Sequence, residues 1–283
     1  MKTIVLILLS VFIKTQLVCQ VSNENEMLLL QKYSDSIRFS RIESNRITYN
    51  DSFKFLLNDF LLNIDPMKQD WSAISNTISV LESEDNKMKL LSWVLVNNKE
   101  EFTNHCVVFF KRKVNSETNV VWLNERSLAK TDSLYEAYPV DMWPSALYYQ
   151  MYHFKKKRKD YYCVLGLNGK NSFINQKIID VLWVDKDNEL QIGAPVFYGS
   201  EKDYTPQYRV FFEYADQGSM TLRFEKEMKL ITYTNLVPSN YEKLGSKQYY
   251  IPDGRIDFYR LNKKGKWIKH ENLEDFNFNE KKN

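Results

Sequence analysis

From Trp71 to His270 the sequence repeats one texture, in which short β-branched and aromatic runs alternate with tight polar clusters. The runs are Ile74–Leu81, Met88–Val96, His105–Phe110, Val120–Leu123, Leu147–Phe154, Tyr161–Leu165, Ile178–Val184, Tyr208–Tyr214, Met220–Phe224, Leu230–Thr234, Ile256–Leu261 and Trp267–His270. The separators include SEDNK, KKKRK, DKDNE, ADQGS, EKEM and NKKGK. Asp, Asn and Gly favour turns because they bond their own backbone or tolerate left-handed angles, so the pattern predicts successive hairpins. Short separations make consecutive strands neighbours. The expected fold is mainly β, an antiparallel meander in one or more sheets. Irregular propeller-like blades are compatible with it, although no strict repeat marks them.

Two helices are expected ahead of this region. Met27, Leu28, Leu30, Ser34 and Ile37 give a rough helical stripe from Glu24 to about Arg41. Phe53, Leu56, Leu57, Phe60 and Leu61 follow one another at helical spacing, with Asn50 or Asp51 available as a cap. Asp65-Pro66 should end that helix, because the residue before proline avoids the helical region.

The first residues, MKTIVLILLSVFIKTQLVC, read as an export leader, a lysine followed by an apolar stretch too short to span a bilayer. Cleavage after Cys19 leaves Gln20 as the first mature residue. The rival reading makes Cys19 an acylated lipoprotein anchor, and membrane attachment rests on that cysteine. The predicted organisation is a leader at 1–19, a helical segment at 20–70, a β domain at 71–270 and a polar tail at 271–283. Location is then periplasmic, outer-membrane-associated or extracellular. The net charge of +3 includes Lys2 and Lys14 in the leader. The rest is therefore nearly neutral, which excludes the overall basic footprint of a nucleic-acid binder.

Little in the sequence resembles chemistry. Asp185-Lys186-Asp187-Asn188-Glu189 begins like a calcium loop, but Leu190 and Val196 stand where that loop needs Gly and Glu. The Ser83–Lys87 cluster and the Lys155–Lys159 run read as hairpin corners, the second with a secondary role in contacting anionic lipid or lipopolysaccharide phosphate. His105, His153 and His270 show no zinc spacing, and no nucleophile elbow, phosphate loop or dinucleotide fingerprint is present. A pairing of His153 with Cys163 across a hairpin lacks a third orienting group. No catalytic residue, cofactor or metal ligand is therefore assigned.

Beyond the leader two cysteines remain, Cys106 and Cys163. In an oxidising compartment they are compatible with a disulfide, and as members of apolar strands they fit buried free thiols equally well. Tyr135, Tyr138, Trp143, Tyr148 and Tyr149 crowd one proline-interrupted stretch. They form either an exposed platform for a sugar or peptide, or a buried cap on the end of a sheet.

At SEDNKMKLLSW, with Ser92-Trp93 closing a strand, the chain resembles a family of uncharacterised exported proteins of Gram-negative bacteria. YYQMYHFKKKRKDYYCVLGLNG and YIPDGRIDFYRLNKKGKWIKH are similar to later parts of its pattern, so the resemblance covers about Phe53 to His270. Where the family continues with an acidic glycine-rich segment, this chain has Val94-Leu95-Val96-Asn97-Asn98. The resemblance implies export and no assigned activity, and no functional residue is carried over. The function expected is a non-catalytic binding module of the envelope or periplasm, with an envelope protein or glycan as partner. The alternative is a hydrolase of envelope or polysaccharide substrates, which requires a carboxylate pair brought together by folding.

Overall fold

The computed structural model describes residues 23–124, 134–171 and 173–276. The leader with Cys19 and the end of the tail lie outside them.

Helix α1 covers 23–39 and buries Met27, Leu30, Ser34 and Ile37 along one stripe. Helix α2 spans Glu43–Asn63 and buries Asn50, Phe53, Leu57, Phe60 and Leu61. It starts about two turns before the Asn50–Asp51 cap suggested by the sequence. Ile42 holds the N-cap position with no side-chain hydrogen bond, so no polar residue marks the start. The stop is as expected, with Ile64 extended before Asp65-Pro66. The Trp71 indole then donates to the Pro66 carbonyl at 3.1 Å and meets the Phe60 ring edge-on. This helical unit runs to Ile78, beyond the expected limit at 70, because Ser72–Ile74 form a 3-10 turn and no strand starts before Ser79.

A second compact unit begins at Ser79 and holds three sheets. The first is a plain meander of β1 (Ser79–Glu82), β2 (Met88–Val96), β3 (Phe102–Phe110) and β4 (Asn119–Leu123). The second contains β5 (Leu147–Lys156), β6 (Lys159–Asn171), β7 (Ile174–Val184) and β10 (Val210–Ala215), ordered β10-β7-β6-β5, with β8 (Leu190–Ile192) also paired to β7. The third contains β11 (Leu222–Glu225), β12 (Leu230–Pro238), β13 (Tyr250–Leu261), β14 (Trp267–His270) and β9 (Phe197–Tyr198), in that order. Pairing is antiparallel except between β14 and β9. None of the sheets closes into a barrel.

The second sheet is the middle layer. Side chains of a strand alternate between faces, and here both faces are buried. Tyr162, Val164, Ile178 and Leu182 join Met88, Leu90, Cys106 and Val108 of the first sheet in one core. Cys163, Leu165, Ile179 and Val181 join Leu222, Ile231, Tyr259 and Trp267 of the third sheet in another. Burial on two sides explains why β6 and β7 read as nearly continuous apolar runs.

Asp180 is the exception in that run, fully buried on the face shared with the first sheet. Burial pushes its carboxyl upward, and the Arg209 guanidinium opposes that effect, with Nε 3.3 Å from Oδ2. Arg209 also donates to the carbonyls of Ile192 and Glu136 and lies 3.9 Å from the Tyr138 ring centroid. Gly193 makes room for it. A Cβ there would fall 2.4 Å from Arg209 Nη2, and the residue has φ +93°, where side chains are strained.

Candidate functional site

Antiparallel pairing puts the β1–β2, β5–β6 and β7–β8 turns and the exit from β3 at one end of the sheets. Each is a corner for a local reason. In Ser83–Lys87, the Ser83 hydroxyl donates to Asp85 Oδ1 at 2.8 Å and accepts from the Met88 amide, with Asn86 at φ +53°. Asp185 Oδ1 accepts the amides of Asp187 and Glu189, so the calcium-loop resemblance resolves into a turn. Between β5 and β6, Lys156 pairs with Lys159, leaving Lys157 and Arg158 as a two-residue loop with φ +49° and +66°. Such a loop prefers Asn-Gly, because both residues are left-handed. Lys157 and Arg158 hold this conformation against a cost of about 1–2 kcal/mol per residue.

The corners are not independent. Lys87 Nζ lies 2.7 Å from Asp160 Oδ2 and 3.3 Å from Asp85 Oδ2, joining the first sheet to the second. His153 Nε2 lies 2.9 Å from Asp160 Oδ1 and 3.4 Å from Asp85 Oδ2, with its ring stacked on Tyr162. The Tyr162 hydroxyl donates to Asp85 Oδ2 at 3.1 Å. The hydrogen bond with Asp160 raises the Lys87 ammonium, against the effect of burial. Burial alone would raise Asp160, but hydrogen bonds from Lys87, His153 and Lys155 outweigh it and hold the carboxyl at about 2. Both stretches are hairpin corners as expected, and they are joined, because Asp85 of the β1–β2 turn and Asp160 at the start of β6 meet around one lysine.

Donor atoms of Asp85, His153 and Asp160 lie within 4.8 Å of one another, a spacing that a metal could use. The Lys87 ammonium already pairs with both carboxylates, however, so a divalent cation would have to displace it. The cluster is an ion-pair knot that locks two hairpins together.

Outside this knot opens a pocket of about 360 Å³. Lys87 contributes from the first turn, Lys111 and Arg112 from the end of β3, Arg158 and Lys159 from the β5–β6 turn, and Lys186 from the β7–β8 turn. These six cations face two carboxylates, Asp160 and Asp185, and both acids are already hydrogen-bonded within the protein. Arg112 and Arg158 make no ion pair among the described residues. Convergent cations around a concave surface raise the local concentration of anions, and guanidinium forks suit phosphate, sulfate or carboxylate. The lining has the charge to suit an anion.

Compared with protein-family models, curated proteins and solved structures, the chain matches none.

Of the two readings of the aromatic stretch, burial holds for three of its five residues and the exposed platform does not form. Tyr138, Trp143 and Tyr148 are buried in the first core, where the Trp143 indole donates to the Tyr148 hydroxyl at 3.0 Å. Tyr149 is half-buried, donates to the Leu222 carbonyl and carries Lys177 against its ring. Tyr135 is exposed and stands apart from them in this respect. Cys106 and Cys163 are both free and buried, in different cores, which is the buried-thiol alternative of the two readings. Burial pushes both thiols upward, away from reactivity. Cys163 also cannot serve His153, since the residue opposite His153 is Tyr162.

The knot and the turn each make a checkable prediction. The Asp160 carboxyl is depressed in the folded state, so its contribution is complete above its unfolded value near 3.8 and is lost as pH falls towards about 2. Urea midpoints measured between neutral pH and pH 2 should fall less steeply for Asp160→Asn, which lacks that carboxylate. Replacing Lys157-Arg158 with Asn-Gly should raise folding stability by about 1–2 kcal/mol while weakening anion binding. Paired urea melts and binding isotherms read both effects.

Proposed function

We propose that this protein is an exported, non-catalytic binding module of the cell envelope or periplasm, and that it holds an anionic ligand in the cationic pocket. The observation behind this reading is the convergence of six lysine and arginine side chains from four separate connections. A lone basic hairpin tip is ordinarily a solvated corner, whereas cations gathered from two sheets need an ordered fold to meet. Acidic glycan is the partner that fits both the envelope setting and the pocket chemistry. The hydrolase alternative gains the carboxylate pair it requires in Asp85 and Asp160. Asp160, however, is held ionised well below neutrality and has no proton to donate as a general acid.

Calorimetric titration of the full chain with pyrophosphate and with a sulfated disaccharide tests this reading. Both should bind, an uncharged disaccharide should not, and affinity should fall with salt because exposed ion pairs are screened over about 8–10 Å. Equal affinity for the neutral sugar, or no anion binding at low salt, would remove the reading.

A further inference from the structure

The end of the β unit opposite the pocket carries a different surface. Antiparallel order places the β6–β7 turn there, with Phe173 exposed. The Asp216 amide, in the β10–β11 turn, donates to the Phe173 carbonyl at 3.0 Å. Gly218 in the same turn brings the chain to within 3.7 Å of Pro252 in β13, measured from where its Cβ would sit. Beside Pro252, strands β12 and β13 extend past a bulge at Thr234/Leu236 and pair Pro238 with Tyr250. Residues 239–249 form the tip of this finger.

The tip is built outward. Two short 3-10 turns, Tyr241–Lys243 and Lys247–Tyr249, bracket Gly245, whose φ is +88° and whose amide donates to the Tyr250 hydroxyl. The second turn packs on β10, yet Tyr241 is 89% exposed, Leu244 65% and Ile251 40%. Lys243 and Lys247 lie over the rings of Tyr249 and Tyr250 at 4.4 and 4.0 Å. Glu242 is the one acid among residues 239–250, which leaves the tip net positive.

We propose that this finger is a membrane-surface contact, with Tyr241 and Leu244 entering the headgroup region and Lys243 and Lys247 facing anionic lipid phosphates. The pairing of amphipathic tyrosines and an aliphatic tip with flanking lysines is what an interface requires. Rings and alkyl chains take the apolar boundary, while ammonium groups stay in the polar layer. The charge argues for lipid over a second copy of the chain, because two such tips would bring their lysines together. The contact leaves the pocket at the far end open to solvent-borne ligand, and it needs no acyl group on Cys19.

Limited chymotrypsin digestion of the full chain, with and without phosphatidylcholine–phosphatidylglycerol vesicles, tests this. Tyr241 and Leu244 are cleavable positions, and Tyr204, 95% exposed, lies in the β9–β10 connection and serves as the internal reference. Vesicles should slow cleavage at the tip about tenfold and leave cleavage after Tyr204 unchanged. Lys243→Glu/Lys247→Glu should abolish that protection, since each lysine at an anionic surface is worth about fivefold in partition. Cleavage rates that ignore vesicles would overturn the proposal, as would protection at Tyr204 alone. Protection that rises with protein concentration in the absence of lipid would overturn it in favour of self-association.

Discussion

Arg209→Met should destabilise the fold by about 3–5 kcal/mol, because it leaves the Asp180 carboxylate buried without a countercharge. Asp180 and Arg209 are both fully buried, and the arginine additionally donates to the Glu136 carbonyl and to the Ile192 carbonyl, which keeps the Tyr138 amide as a second donor. The double variant Asp180→Leu/Arg209→Met should recover most of that loss, since an apolar pair of similar volume removes both desolvation costs. Urea unfolding of the wild type, the single variant and the double variant reads the difference. A single variant within about 1 kcal/mol of wild type would mean that the pair contributes nothing beyond packing.

Arg112→Glu/Arg158→Glu should lower affinity for pyrophosphate about a hundredfold or more. A hydrogen bond to a charged group contributes about 1.5–3 kcal/mol, roughly tenfold or more for each guanidinium removed, and the introduced carboxylates add repulsion. The urea midpoint should stay near that of the wild type, because neither arginine makes an ion pair among the described residues. Separate loss of binding and retention of stability is the pattern that distinguishes a ligand site from structural charge. A variant that binds as well as the parent would move the site elsewhere.

How much of this the sequence discloses depends on the range of the interaction. Strands with a local signature were legible. Met88–Val96 and Trp267–His270 were bounded as observed, and Leu230–Thr234 lies within β12. The strands β8 and β9, three and two residues long, carry too little pattern to be seen. Neighbour-to-neighbour pairing held from β1 to β4, from β5 to β8 and from β11 to β14. It failed where β10 returns to β7 and where β9 pairs parallel with β14, since nothing local encodes those partners.

The candidate site shows the same division. That Ser83–Lys87 and Lys155–Lys159 hold turns followed from residue type, but their joining did not. Asp85 reaches His153 and Asp160 only because two sheets share a core, a contact with no trace in spacing. The one clue was chemical. Lys-Arg is a poor choice for a left-handed two-residue loop, and a poor choice kept at a tip suggests that its charge has a use. The aromatic cluster left two readings open because tyrosine and tryptophan serve core and surface alike, and Tyr138, Trp143 and Tyr148 take the buried one.

The parallel ladder between Phe197–Tyr198 and Trp267–Ile268 has an effect on the order of assembly. A nascent chain can complete its first meander early, whereas the third layer must wait for residues near its carboxyl end to emerge. Until then the Ile179 and Val181 side of the middle layer is uncovered and adhesive. Shortening the chain ahead of Trp267 should therefore yield aggregates rather than a smaller soluble protein.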